Sequence, residues 1–140
     1  MAEAGLGLRF RVSIDGQDFG NWQKCDGLSM EYDIHEHKEG GENGFTHKLP
    51  GRVKYENVKL TRPIDQHSGR VTAWVASVQI RLIPATAHVS VLDPAGESVA
   101  DWYLIGVYPV RWSGPTLDVD GNQWATETLE LAHNGFLGPI

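Results

Sequence analysis

The stretch Leu28-Ser29-Met30-Glu31-Tyr32-Asp33-Ile34-His35 decides the fold class of this chain. Apolar and polar side chains alternate along it without a break, which is the period of a β-strand with one buried face. Residues 9–15 alternate in the same way, and the Asp15-Gly16 pair at their end is typical of a tight hairpin turn. The two stretches predict a protein built mainly from antiparallel strands.

Working outward, the sequence predicts further strands at residues 19–25, 53–60, 89–91, 99–108 and 125–133. The apolar residues change from odd to even positions near Asn57, which predicts a β-bulge there. Residues 99–108 are apolar on both faces, and Pro109 after them predicts an edge position or a bulge because proline cannot donate to a ladder. The turn Asp93-Pro94-Ala95-Gly96 separates two of these strands.

One segment has a helical period instead. Its apolar stripe consists of Val71, Trp74, Val75, Val78 and Leu82. The stripe predicts a helix over residues 65–83, begun by Asp65 or Ser68 and stopped by Pro84. The fold class predicted is therefore mainly β, an antiparallel β-barrel or sandwich of about seven strands with one flanking α-helix.

Length and composition limit the classes of function. The 140 residues predict one domain, 1–140, with a flexible N-terminus at 1–8 and a long exposed, glycine-rich loop at 36–47. A net charge of −6 disfavours nucleic acid and anionic lipid as partners. No apolar run predicts a membrane span and no secretory signal is recognised, so we expect synthesis and assembly in the cytoplasm. Cys25 is the single cysteine, so no intrachain disulfide is expected.

A search for chemistry predicts no catalytic residue, metal or cofactor. His35, His37 and His47 could together hold a metal in a small enzyme, but we favour a polar strand face that ends at a solvated loop, which the flanking acidic residues support. Exposed aromatic residues would instead suit a monomeric β-domain that binds carbohydrate or protein. The candidates for that alternative are Trp22, Trp112 and Trp124. Neither a nucleophile elbow nor a phosphate-binding loop occurs.

Opposite charges lie on consecutive segments. Residues 26–43 carry six acidic side chains and one basic one, whereas residues 46–62 carry five basic side chains and one acidic one. If the two segments pair within the chain, this is cross-strand compensation. If they lie on opposite sides of the subunit, each copy offers a negative patch to the positive patch of the next, a head-to-tail contact that can close a ring.

The stretch Leu49-Pro50-Gly51-Arg52-Val53-Lys54-Tyr55-Glu56-Asn57-Val58-Lys59-Leu60-Thr61-Arg62 resembles the tail-tube family of contractile-tailed phages and phage-tail-like contractile injection systems. Upstream, Asp26-Gly27-Leu28 and Glu39-Gly40-Gly41 are similar to the same family. Downstream, the similar stretches are Pro109-Val110-Arg111-Trp112-Ser113-Gly114-Pro115 and Glu127-Thr128-Leu129-Glu130-Leu131-Ala132-His133-Asn134-Gly135-Phe136. Together they cover most of the chain.

The resemblance implies a structural protein and not an enzyme. Its copies would form homo-hexameric rings that stack into a hollow tube inside a contractile sheath, above hub and spike proteins of a baseplate, with protein cargo in the lumen. Release of the particle from the cell that makes it, anchoring in that cell and a phage virion all stay open. The subunit-interface candidates implied are Glu39, Glu42, Phe45, Leu49, Pro50, Gly51, Lys54 and Tyr55. The Arg62-Pro63 step and the ending at residues 127–133 look closer to the tube-initiator ring than to the bulk tube protein, and both roles stay open.

Overall fold

A computed structural model describes residues 8–38, 46–117, 120 and 125–137. In order, its elements are β1 (Arg9–Ile14), β2 (Gln17–Trp22), β3 (Lys24–Asp26), β4 (Met30–Lys38), β5 (Thr46–Tyr55), β6 (Val58–Pro63), α1 (Ser68–Ser77), β7 (Ala85–Leu92), β8 (Ser98–Ser113), β9 (Thr126–Ala132) and β10 (Gly135–Leu137). The mainly β class with one helix is confirmed. No helix in these ranges is long and apolar enough to span a bilayer.

Eight of the strands form one antiparallel sheet whose two ends meet. The order is β2-β1-β7-β8-β9-β6-β3, and β10 pairs with β8 beside β9. The end strands β2 and β3 follow one another in the chain, and the amide of Gln23 between them donates to the carbonyl of Thr61 in β6 at 3.0 Å. The predicted strand at 19–25 is therefore two strands with different partners, and its change of partner closes the sheet into a barrel.

The predicted hairpin between β1 and β2 is confirmed. Ile14 pairs with Gln17, and the two residues between them have φ angles of 50° at Asp15 and 77° at Gly16. Two consecutive left-handed residues are typical of the turn that matches the twist of paired strands. The turn at residues 93–96 is also confirmed, since the amide of Gly96 donates to the carbonyl of Asp93 at 2.9 Å.

The helix is shorter than predicted. Helix α1 ends at Ser77, and the amides of Gln79 and Ile80 then bond to carbonyls three residues earlier. Within the helix Val71 is fully buried, whereas Leu82 at the end of the predicted stripe is exposed. The apolar stripe of the sequence extends beyond the surface on which the helix packs, so Leu82 has no partner there. The helix ends at Ser77, well before Pro84, so the proline does not set its end.

Two other expectations need correction. Strand β4 extends to Lys38 and β5 begins at Thr46, so the ends of the predicted 36–47 loop are strand, and its middle lies outside the described residues. The phase change near Asn57 is a break between β5 and β6, because side chains change partner sheet there. The bulge lies further back in the β4–β5 pair, where the register shifts between Tyr32 and Ile34.

The core lies inside the barrel and under α1. Its fully buried large side chains come from β1, β2, β6, β7, β8 and β9, and include Ile14, Phe19, Trp22, Leu60, Leu104, Leu129 and Leu131. Strand β8 runs through sixteen residues and pairs with β7 in its first part and with β9 in its second. As predicted, Pro109 lies at a bulge, where the register with β9 shifts before Arg111.

Candidate assembly surfaces

Strands β4 and β5 form a two-stranded ribbon that is separate from the eight-stranded sheet. Met30 is directly opposite Tyr55, and Tyr32 is opposite Val53, so these side chains share one face. Met30, Tyr32 and Ile34, which we call the ribbon face, are 50%, 54% and 63% exposed. The alternation that predicted a half-buried strand therefore presents its apolar side to solvent in the single subunit.

The other side of the ribbon holds its charges. The ammonium group of Lys54 lies 3.3 Å from the carboxylate of Asp33, and Lys54 is the register partner of Glu31. The acidic and basic segments thus pair within the chain, which confirms cross-strand compensation as the explanation of their charge pattern. Because both members of the ion pair are well exposed, it contributes at most about 1 kcal/mol.

The ribbon brings several of the predicted interface residues together. Leu49 is more than half exposed on β5, and Pro50 is the register partner of Ile34, next to the ribbon face. Gly51 and Lys54 follow on the same strand. The three acidic and aromatic candidates of the preceding loop, at positions 39, 42 and 45, lie outside the described residues.

Tyr55 has a different position from the other candidates. Its ring centroid lies 5.2 Å from that of His133 and 5.9 Å from that of Phe136, which belong to the end of β9 and to β10. The His133 imidazole is buried, and its Nδ1 accepts a hydrogen bond from the amide of Gly135 at 3.2 Å. Tyr55 therefore joins the base of the ribbon to the barrel of its own chain.

The outer face of β8 is a second exposed apolar surface. Its exposed members are Val99, Tyr103, Ile105, Tyr108 and Val110. The inner face of the same strand buries Leu104 and Val107 completely, so the prediction of a strand apolar on both faces is confirmed. No other described element of the chain covers the outer row.

A polar group interrupts this outer face. The carboxylate of Asp101 accepts from the Ser98 hydroxyl at 2.6 Å and lies 2.7 Å from Nε2 of His88. The hydrogen bond from Ser98, followed by that from His88, holds the pKa of Asp101 below its usual range. The His88 ring stacks on Tyr103 with centroids 4.4 Å apart. The group has an acid and a base but its serine hydroxyl bonds the acid, so it does not form a nucleophilic triad.

A buried ion pair lies beneath the start of α1, and sequence reasoning missed it. Arg62 of β6 and Glu127 of β9 are register partners with side chains 2% and 0% exposed, and Arg62 Nε donates to Glu127 Oε2 at 3.2 Å. Glu127 also accepts from the hydroxyl of Ser68 and from the indole of Trp112. Both carboxylate oxygens are occupied, so Glu127 is not available as a general base.

The same arginine joins the two ends of the sheet. Its Nη1 donates to the carbonyl of Phe19, and to that of Asn21 at 3.4 Å, both in β2. Its guanidinium carbon lies 3.9 Å from the centroid of the Trp22 ring, and Nη1 is 3.3 Å from the carboxylate of Asp65. A side chain thus supplies the bonds that a backbone ladder between β2 and β6 would supply.

This cluster had a signal in the sequence. Arg62 follows Val58 and Leu60 at the same parity, and Glu127 precedes Leu129 and Leu131 at the same parity. A charged residue on the buried face of each of two strands indicates a buried pair, because a lone buried charge would be too costly.

The aromatic and cysteine candidates are mostly committed to the fold. Trp22 is buried, Trp112 is partly buried with its indole bonded to Glu127, and Trp124 lies outside the described residues. Neither Trp22 nor Trp112, the two candidates that the structure describes, forms an open binding platform. Burial, with a smaller effect of the neighbouring Asp26 charge, raises the pKa of the Cys25 thiol to about 11.

The histidine candidates lie on the ribbon. In the register, His37 is opposite His47 and His35 is opposite Leu49, which places the three histidines on the same two strands. The side chains of these three histidines lie outside the described part of the structure, so the histidine metal site stays a prediction. Among the side chains that are described, no group of three or more histidine, cysteine or carboxylate side chains is arranged to hold a metal.

Comparison with known proteins gives one family and several similar structures. The family model described as T4-like virus tail tube protein gp19 matches residues 7–137. A chain of the tube-terminating cap of the anti-feeding prophage superposes with a TM-score of 0.78 at 19% identity, covering 98% of this chain and 91% of that one. A chain of the sheath–tube complex of PVC, an extracellular contractile injection system in its extended state, superposes with a TM-score of 0.76 at 23% identity, covering 92% of this chain and 86% of that one.

A third similar structure comes from a baseplate. A chain of the anti-feeding prophage baseplate gives a TM-score of 0.72 at 24% identity, covering 98% of this chain and 95% of that one. At these identities the likeness shows a shared fold. No curated protein matches the chain.

Proposed function

The chain belongs to the T4-like virus tail tube protein family, and on that premise we propose that it is a ring-forming structural subunit of the inner tube of a contractile injection system or phage-like tail. The observation that carries the ring is the exposed ribbon face. Met30, Tyr32 and Ile34 lie on a ribbon that the closed sheet of the same subunit does not cover. A second copy that covers them, and is covered in turn by a third, makes a head-to-tail contact that can close.

The outer face of β8 offers the complementary apolar surface. Two sheet faces pack at about 10 Å when both present apolar side chains, as in the two layers of a β-sandwich. The ribbon face of one copy on the β8 outer face of the next would bury both surfaces at once. Asp33 and Lys54 of the ribbon are paired with each other, so these two residues need no compensating charge from the neighbour.

We propose a homo-hexamer whose rings stack into a tube, with a sheath around it, hub and spike proteins below it, and protein cargo in its lumen. The similar chains from a sheath–tube complex, a baseplate and a tube-terminating cap support this set of partners. The particle would be extracellular after release. No catalytic step and no cofactor is part of the proposal.

The remaining interface candidates belong to the same proposal. Leu49 and Pro50 would extend the ribbon contact, since both are exposed beside it. The loop that joins β4 to β5, with Glu39, Glu42 and Phe45, would reach the neighbouring subunit or the next ring.

We propose the tube-initiator ring as the specific position, with the bulk tube as the alternative. An initiator needs different partners above and below, whereas a bulk subunit is complementary to itself from ring to ring. Negative-stain images of the purified chain separate the two roles, because single rings indicate an initiator and long tubes indicate a bulk subunit.

The test of the ring is native mass spectrometry of three proteins. The unaltered chain is expected as a hexamer, Ile34→Asp as a monomer, and Leu117→Asp as a hexamer. Leu117 is the matched control because it is 80% exposed and belongs to the connection between β8 and β9, which is not part of the ribbon. Circular dichroism checks that each protein is folded. A monomeric unaltered chain at high concentration, or a hexameric Ile34→Asp, would show that the ribbon face does not build the ring.

A further inference from the structure

The segment that follows α1 forms an apolar projection that the proposed ring contact does not use. Ile80 is 91% exposed, and Leu82 and Ile83 are both more than half exposed. We call Val78, Ile80, Arg81, Leu82 and Ile83 the helix ledge. Three large exposed aliphatic side chains within four residues are far more than the scattered apolar residues of an ordinary surface.

The helix ledge borders a cleft. The cleft has a volume of about 360 Å³, and Val78, Ile80 and Ile83 line it together with Trp74 of α1. Trp74 is held in place from below, because its ring meets that of Phe19 in the core edge to face with centroids 5.7 Å apart. The cleft therefore has a fixed floor and an apolar rim, which suits an inserted apolar side chain.

The charge of this region differs from that of the whole chain. Residues 66–92 contain no aspartate or glutamate and contain two arginines, on a chain whose net charge is −6. Arg70 donates to the backbone carbonyl of Asp18 at 2.7 Å, and within the described ranges no carboxylate pairs with Arg70 or Arg81. Asp15, the one acid among the described residues that line the cleft, accepts from the amide of Thr86 at 2.9 Å.

From this combination we infer that the helix ledge binds an acidic amphipathic segment of a protein other than this chain. Apolar side chains of the partner would enter the cleft beside Trp74, and its carboxylates would face Arg81 and Arg70. We infer a different protein and not a second copy of this chain because the proposed function already uses the exposed apolar ribbon face in the ring contact. The inference rests on the proposed function in this respect. Asp33, which lies between residues of the ribbon face in the chain but on the opposite side of the ribbon, is already paired with Lys54.

A labelled synthetic peptide tests the inference on the full chain. The probe is an amphipathic helix of about 15 residues with leucines at i, i+3 and i+4 spacing and glutamates elsewhere. A matched peptide carries lysine in place of every glutamate. In fluorescence anisotropy the acidic peptide is expected to bind at least about tenfold more tightly than the basic one, and its affinity is expected to fall with added salt.

Variants locate the site. Ile80→Ser and Arg81→Glu should each weaken binding of the acidic peptide about tenfold or more. Arg111→Glu, which reverses another exposed arginine on β8, should leave binding unchanged. Because Ile80 and Arg81 are both exposed, neither change should disturb folding, and circular dichroism checks this.

Three results would overturn the inference: no binding of the acidic peptide, equal binding of the two peptides, or equal loss in Arg111→Glu. A fourth would assign the ledge to a second copy, namely loss of the hexamer in Arg81→Glu by native mass spectrometry. Failure of the proposed function looks different, because the unaltered chain would then be monomeric whether or not it binds the peptide.

Discussion

Replacing Glu127 by glutamine removes a buried negative charge and leaves its arginine partner in place. Glu127→Gln keeps the size of the side chain, but Arg62 then has only the carboxylate of Asp65, at 3.3 Å and partly exposed, as a counter-charge. Breaking a buried ion pair on one side costs about 3–5 kcal/mol. A partly exposed partner returns at most about 1 kcal/mol. We therefore expect Glu127→Gln to lower the free energy of unfolding by about 2–4 kcal/mol.

A double variant tests whether this loss of unfolding free energy arises from the interaction between Arg62 and Glu127. Arg62→Met alone leaves the Glu127 charge buried and should cost about 3–5 kcal/mol. When both charges are removed, the main remaining loss is the bond from Arg62 to the carbonyl of Phe19, worth about 1–3 kcal/mol. The double variant should thus be no less stable than Arg62→Met, and its cost should fall at least about 2 kcal/mol below the sum of the single costs.

Urea unfolding followed by tryptophan fluorescence measures all three variants. The titrations are run at several protein concentrations, because assembly adds to apparent stability. Glu130→Gln is the control on the same strand, since Glu130 pairs with the exposed Lys59 at 3.9 Å and should cost less than about 1 kcal/mol. A cost below about 1 kcal/mol for Glu127→Gln, or single costs that simply add, would refute the ion-pair reasoning.

Three further predictions follow from other parts of the chain. Gly20→Ala should lower the melting temperature more than Gly96→Ala. The φ angles are similar, +84° and +87°, but an added Cβ at Gly20 would lie 2.7 Å from Nδ1 of His67, whereas Gly96 has open space, so equal shifts would contradict the crowding. The lowered pKa of Asp101, due first to the Ser98 hydroxyl, gives stability that is present above the ordinary carboxyl pKa of about 4 and is lost as pH falls through the folded value. Asp101→Asn should therefore reduce the fall in melting temperature between pH 6 and pH 2, measured by thermal unfolding. The same fall in the variant and the unaltered protein would disprove the contribution of Asp101. With a pKa of about 11, Cys25 should react with a thiol reagent at pH 8 far more slowly in the native protein than in urea, and matching rates would exclude the burial effect.

The sequence was sufficient where structure depends on neighbours in the chain. The alternation at residues 9–14 and the Asp15-Gly16 pair predicted β1 and its turn, because side-chain direction and backbone φ are local properties. Pro109 predicted its bulge for the same reason, since a missing donor disrupts any ladder. The family resemblance then supplied the assembly that local rules do not contain.

The sequence was insufficient where structure depends on distant partners. The end of α1 is set by how far the barrel surface extends beneath it, and Leu82 keeps the helical period beyond that surface. The split of residues 17–26 into two strands depends on β1 and β6, which lie next to the two opposite end strands of the sheet. The ribbon face follows an alternation that predicts burial, but no described part of the single subunit covers it.

The position of β9 in the sheet has a consequence for the folding of this protein during its synthesis. Strand β9 (Thr126–Ala132) lies between β8 and β6, so without it no backbone ladder joins the group β2-β1-β7-β8 to the pair β6-β3. Until β9 has left the ribosome, a nascent chain can hold the four-stranded group and the two-stranded pair but no closed barrel. Barrel closure therefore waits for residues 126–132, and products terminated before them would expose open strand edges prone to aggregation.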